Sequence, residues 1–184
     1  VHRLVGSEMC IRDRYKVLQV DGAEADDIIA TIVNLVSKTP NLFEKILIMS
    51  GDKDFIQLQT HENVQQYSPT LKKFINGVDP NTYKIEHIFK GDRGDGIPNI
   101  LSPDNTFVEG LRQKPLGKNK IDSWKQVGTW PIDDWNEEIK RNYQRNCKLI
   151  DLDLIPSHIR DTIYYSWKQE SETSRSKILP YFMK

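Results

Sequence analysis

Three short stretches carry carboxylates at spacings that suit metal chemistry. "GAEADDIIATIV" places Glu24, Asp26 and Asp27 at the head of an apolar run. "ILIMSGDKDFIQL" sets Asp52 and Asp54 one residue apart at the end of another. "KGDRGDGIPNI" supplies Asp92 and Asp95, an i, i+3 pair that a helical turn would put on one face. Carboxylates brought this close repel one another unless cations lie between them. Oxygen ligands without His or Cys select Mg²⁺ or Mn²⁺ over zinc. Two such ions about 4 Å apart can activate water and stabilise the leaving oxygen of a phosphodiester. Each stretch has an ordinary reading as well. Acids collect in the first turn of a helix because its dipole favours them, and Gly with Asp simply makes turns. Their order along the chain and their common position at strand ends favour a site.

The elements around them follow from periodicity. "YKVLQV" (15–20) reads as a strand stopped by Asp21-Gly22, and 24–38 as a helix, with Ile28, Ile29, Ile32, Val33 and Val36 at helical spacing. Pro40-Asn41 makes a turn, and "KILIMS" (45–50) a second strand. Strand, helix, strand with short links is a βαβ unit, so the two strands should run parallel and be buried on both faces. Ligands of an open parallel sheet bind outside the carboxyl ends of its strands; that would bring the first two acid groups to one edge. "FIQL" (55–58) begins a further helix, and 63–68 with 72–77 form a hairpin around Pro69-Thr70. Helices are expected at 80–90, 118–127, 134–149, 157–169 and 174–183, with a turn at 91–98.

Composition narrows the class. The 184 residues suit one domain, or a compact domain with an appendage. No apolar run approaches the eighteen or so residues of a membrane span. Cys10 and Cys147 lack metal-ligand spacing, which points to a reducing setting, and His2, His61, His87 and His158 are too scattered for zinc. The net charge of zero hides an uneven spread. Residues 15–60 hold seven acids against four bases, and 110–148 nine bases against five acids. An acidic centre beside a basic flank fits a protein that holds cations and grips a polyanion. Arg112, Lys114, Lys118, Lys120 and Lys125 are the candidates for phosphate contact without sequence preference, with a solvated face as the alternative. Trp124, Trp130 and Trp135, spaced through a helical region, read as core rather than as base-stacking platforms.

The three acidic stretches, together with "VQQYSPTLKKFI" and "LIDLDLIPSHIRDTIYYSW", resemble the 5′ nuclease (flap endonuclease) superfamily, and within it the ribonuclease H branch of tailed bacteriophages. The resemblance runs from Tyr15 to Lys184. It implies an α/β fold: the C-terminal half of a PIN-like parallel sheet at 15–78, then a helical domain with a helix–three-turn–helix element at 79–184. It implies a Mg²⁺-dependent 5′→3′ exonuclease, flap endonuclease and ribonuclease H that removes RNA primers in lagging-strand replication. Two ions are implied, with Mn²⁺ able to substitute. Asp26 and Asp52 would ligate the catalytic ion with Glu24 beside them. Asp54, Asp92 and Asp95 would hold the second directly or through water, and Asp27, one step round the helix, is a weaker candidate. Asp26, Asp52 and Asp54 would be the catalytic set, and Lys53 and Arg93 would join the DNA contacts. DNA and RNA–DNA hybrid are the implied partners, with a single-strand-binding protein or sliding clamp beside them. A monomer in the host cytoplasm, away from membrane, completes the implied picture.

The sequence departs from that family in three ways. The first strand with its Asp and the basic arch have no counterpart, a glycine-rich hairpin is replaced by "NILSPDNTF", and the C-terminus is short of the family's. "VHRLVGSEMCIRDR" (1–14) resembles a translated sequencing adapter, so the chain reads as an N-terminally truncated fragment behind a non-native leader. Alone, it is expected to be poorly soluble and inactive. Two other readings remain. A haloacid-dehalogenase-type phosphatase also has Asp-x-Asp after a strand, but Ile56 stands where that family has Thr. A non-catalytic DNA-binding module would need only the helical part.

Overall fold

The computed structural model describes residues 16–39, 45–126, 132 and 134–169. The sequence expectations for Tyr15, the Pro40-Asn41 turn, Trp130, a helix at 174–183 and the leader lie outside these. The chain divides into two compact units, one made of residues 1–32 with 156–184 and the other of 33–155.

In the first unit, residues 16–20 form no strand, which corrects the βαβ expectation. Local apolar character only permits a strand; a neighbour in register makes one. Instead Val20 is buried, and the Lys16 amine donates to the carbonyls of Trp167 and Gln169, the latter at 2.7 Å. Those carbonyls lie at the C-terminal end of the helix Ser157–Lys168, where a cation is favoured. Helix α1 (Ala25–Lys38) begins after the turn at Gly22. The Asp27 carboxylate accepts the Glu24 N–H at 3.0 Å, reaching back from the first turn to tie down a donor at the helix start. Ala30 is fully buried, whereas Ile28, Ile29 and Ile32 are half-buried. The Ser157–Lys168 helix, α5 in chain order, buries Ile163.

The second unit holds a three-stranded sheet in the order β1 (Ile46–Met49), β2 (Val64–Ser68), β3 (Lys73–Ile75). β1 and β2 are parallel, with Ile46 opposite Val64 and Ile48 opposite Gln66; β2 and β3 form the expected antiparallel hairpin. Burial on both faces does not hold for β1. Ile48 is buried, but Leu47 is 51% and Met49 65% exposed, because one face of the strand is left open.

The helix expected at "FIQL" is a 3₁₀ helix (Asp54–Thr60), which buries Phe55, Ile56, Gln57 and Leu58. Gln57 lies inside it because its amide donates to Ile150 O at 3.0 Å. Helix α2 (Pro80–Lys90) starts where Asp79 accepts the Thr82 N–H at 2.7 Å and Pro80 takes the first position. It is followed by α3 (Lys118–Gln126) and α4 (Glu137–Ile150). The core of this unit is Ile88, Phe89, Ile97, Ile100 and Ile150. Trp124 and Trp135 stand edge-on to Phe89, each with ring centres 5.4 Å away, so these two are core residues as expected.

Candidate functional site

Two loops of the second unit present acids. The first is Ser50–Asp54, at the carboxyl end of β1. Gln66, 1% exposed on β2, donates its amide to Ser50 O at 3.0 Å and to Asp52 O at 2.5 Å. Its own amide oxygen accepts from Gln59 at 3.1 Å. The Ser50 hydroxyl accepts the Asp52 N–H at 3.1 Å, and Asp52 Oδ1 accepts the Asp54 N–H at 3.1 Å. Every bend of the loop is thus held by a hydrogen bond, and Asp52 remains exposed at its tip.

The second loop follows α2. Gly91 ends the helix at φ 67° and ψ −177°. A Cβ there would lie 2.3 Å from Ile97 O, so the chain folds back against a residue that must have no side chain. Asp92 Oδ1 accepts the N–H groups of Gly94 at 2.6 Å and Asp95 at 3.3 Å. This is a turn closed by the aspartate itself, not the helical face expected from the i, i+3 spacing; Asp95 is exposed. The carbonyls beyond are pinned from α4. Asn146 donates to Ile88 O at 2.8 Å and Pro98 O at 2.9 Å, and Asn142 to Ile100 O and Ser102 O, each at 3.1 Å.

These loops meet at a residue that the sequence reading set aside. His87 Nε2 is 3.4 Å from Asp54 Oδ1 and 3.6 Å from Asp92 Oδ2, as ion-pair contacts without hydrogen-bond geometry. The nitrogen is buried, and the imidazole stacks on Tyr83 at 5.8 Å between ring centres. Burial raises the pKa of Asp54 above the usual 3.8; His87 opposes the rise, and the charges of Asp52, Asp92 and Asp95 add to it. Burial also pushes the Tyr83 phenol up to about 12, with Asp54, Asp52 and Asp92 contributing. The structure therefore brings four of the seven candidate acids into one electrostatic group. Glu24, Asp26 and Asp27 belong to the first unit, at the start of α1. Among the described residues, no three Asp, Glu, His or Cys side chains are arranged to hold a metal ion.

A signal for His87 was present. It stands five residues before Asp92 on a helix ending at Gly91, so its ring lies in the last turn beside the acidic loop. Gln66 had none, since an alternating strand residue of its type reads as solvent-facing.

The basic candidates divide. Arg93, Arg112 and Lys114 line one open groove of about 950 Å³, with Gln113 and Phe107 in its wall. Lys114 also pairs with Glu138 at 3.8 Å. Lys118 and Lys120 are exposed on α3, Lys120 above the Trp124 ring at 5.4 Å. Lys53 is exposed beside Asp52. Lys125 lies in α3, but its side chain is outside the described part.

The fold is shared with a solved structure. The crystal structure of the T5 D15 protein co-crystallized with metal ions superposes with a TM-score of 0.60, covering 88% of this chain and 63% of that one. At 21% identity, it establishes the fold. Residues 79–184 match the family described as T4 RNase H, C terminal, and residues 7–88 match the 5′-3′ exonuclease, N-terminal resolvase-like domain. The chain belongs to the T4 RNase H family. It is 32% identical to the ribonuclease H of Enterobacteria phage T4 over 176 residues, covering 92% of this chain and 56% of that protein. It is 33% identical over 93 residues to a 5′-3′ exonuclease of Buchnera aphidicola subsp. Acyrthosiphon pisum (strain APS), covering 46% of this chain and 31% of the relative. The chain thus spans little more than half the length of the phage relative. Family membership removes the phosphatase reading. Among the described residues, no helix is long and apolar enough to cross a membrane.

Proposed function

We propose that this chain carries the acidic centre and the nucleic-acid-binding helices of a Mg²⁺-dependent 5′→3′ exonuclease and flap endonuclease with ribonuclease H activity. Its role would be to remove RNA primers in phage lagging-strand replication. The observation that carries the reading is the convergence of Asp54 and Asp92, from two separate motifs, on one buried nitrogen, with Asp52 and Asp95 near enough to raise the Asp54 pKa. Such concentrated negative charge is what a bound cation relieves. The donor set fits a hard divalent ion: carboxylate oxygens and no thiolate.

Residues 15–78 would form the metal-binding core and 79–184 the helical, DNA-binding part. Asp26 and Asp52 would hold the catalytic ion with Glu24 beside them; Asp54, Asp92 and Asp95 would hold the second. Asp27 is spent on the cap of α1 and is the weakest of the set. When bound, the two ions would supply an activated water and neutralise the leaving oxygen, with Mn²⁺ able to replace Mg²⁺. Arg93, Arg112 and Lys114 would hold the phosphodiester backbone along their groove, with Lys53, Lys118, Lys120 and Lys125 as further contacts. Single-strand-binding protein or sliding clamp are the partners proposed for a monomer working in the host cytoplasm.

The test is Mg²⁺-dependent cleavage of a 5′-flap DNA and an RNA–DNA hybrid by this protein, with and without Asp52→Asn. The substitution should lower kcat at least about 100-fold while binding of the flap in Ca²⁺ stays near the parent value. Full cleavage by the variant at saturating Mg²⁺ would remove Asp52 from the metal site.

A further inference from the structure

We propose that His87 is the positioning residue of the acidic centre: its Nε2–H lies between Asp54 and Asp92 and ties the two acidic loops together when a cation is bound. This rests on the metal reading given above and goes beyond it, because the bridge lies behind the ligands. Asp54 and Asp92 are 38 residues apart in sequence, and each loop is otherwise braced on its own side: the first by Gln66 from β2, the second by Asn142 and Asn146 from α4. Within this group, His87 is the side chain that touches an acid from each loop.

The chemistry is specific. Each aspartate has one oxygen facing the imidazole. Asp92 Oδ1 is already engaged by Gly94 and Asp95 amides, so Oδ2 is the atom that meets His87. Nε2 is buried and lacks a formed hydrogen bond, at distances only a few tenths of an ångström beyond one. The ring is kept in place by Tyr83 stacked on its face and by its position on the last turn of α2. Ligating carboxylates hydrogen-bonded from behind hold their metal more tightly, and loss of such a partner typically lowers affinity about 10- to 100-fold. Leu at 87 fills the space but cannot donate; Gln restores an N–H donor at similar reach.

The test uses the 184-residue chain and Mn²⁺ as the probe, measured by calorimetry and by loss of the free-ion paramagnetic signal, with thermal melts alongside. His87→Leu should weaken Mn²⁺ binding at least tenfold, and His87→Gln should recover most of it, with both variants melting close to the parent. Parent-like Mn²⁺ affinity in His87→Leu, or no recovery in His87→Gln, would overturn the proposal. Asp52→Asn is the control for the metal reading. If the parent takes up no Mn²⁺, that reading has failed for this chain, and the bridge is decided by ¹⁵N NMR of the imidazole. Nε2 should carry the proton, and its resonance should move in Asp54→Asn. An unprotonated Nε2, or a resonance indifferent to Asp54→Asn, would overturn the bridge itself.

Discussion

Replacing Gly91 by Ala perturbs the joint between α2 and the acidic turn at one atom. Two costs add. At φ 67° and ψ −177° the backbone occupies a region that is essentially glycine's alone, which costs of order 1–3 kcal/mol for any other residue. The new Cβ would also sit 2.3 Å from Ile97 O and 2.7 Å from Pro98 C and O. These are backbone atoms, and Asn146 and Arg145 both hold Pro98 O, so they cannot swing aside as a side-chain tip would. Forcing them apart costs about another 1–3 kcal/mol. A total near 3 kcal/mol or more is expected, against a stability of about 5–15 kcal/mol for a typical domain. For a protein of this size, that lowers Tm by about 6–12 °C. Gly77→Ala separates the two costs. Gly77 has φ 81°, but a methyl group added there would meet nothing within 4 Å, so backbone strain acts alone, at about 1 kcal/mol. Thermal melts of both variants by circular dichroism make the comparison. If Gly91→Ala loses no more than Gly77→Ala, the close approach of Ile97 and Pro98 is not a constraint, and the account of the second acidic loop is wrong.

Two further outcomes follow from packing and charge. Asn146→Leu takes the side-chain donor from Ile88 O in a buried setting and leaves Pro98 O to Arg145 alone; it should destabilise by about 1–3 kcal/mol, read from urea midpoints, and a loss under about 0.5 kcal/mol would show Ile88 O finding another partner. The Lys84 amine is disfavoured by burial, but its bonds to Asp153 at 2.8 Å and Asp151 at 3.1 Å outweigh that and raise its pKa above 10.5. The folded chain therefore keeps the lysine proton longer than the unfolded one. The advantage of the parent over Lys84→Met should be complete below pH 10.5 and fade as pH rises beyond it, which paired melts at pH 8 and pH 11 would show. An advantage that grows with pH would reverse the sign of the coupling.

The sequence by itself determined the local features. Asp79 and Pro80 start α2 and Gly91 stops it, because caps and φ limits act within a few residues. The second and third acidic stretches turn where Gly and Asp follow an apolar run, and the first opens α1, whose first turn favours acids. Trp124 is core for a like reason, an apolar position on the face of a helix. Tertiary structure decided the pairings. β1 pairs with β2, since register is set by whichever strand is brought alongside, and apolar letters alone do not name the partner. The tight turn at Asp92 overrode a helical i, i+3 reading because an aspartate that accepts its own following N–H groups competes with the helix. Asn142 and Asn146 would pass for the wet face of α4; they are buried because a distant loop presents carbonyls to them. His87 looked isolated in sequence for a like reason. Its two carboxylates come from residues 54 and 92, and only the folded chain sets them on either side of one nitrogen.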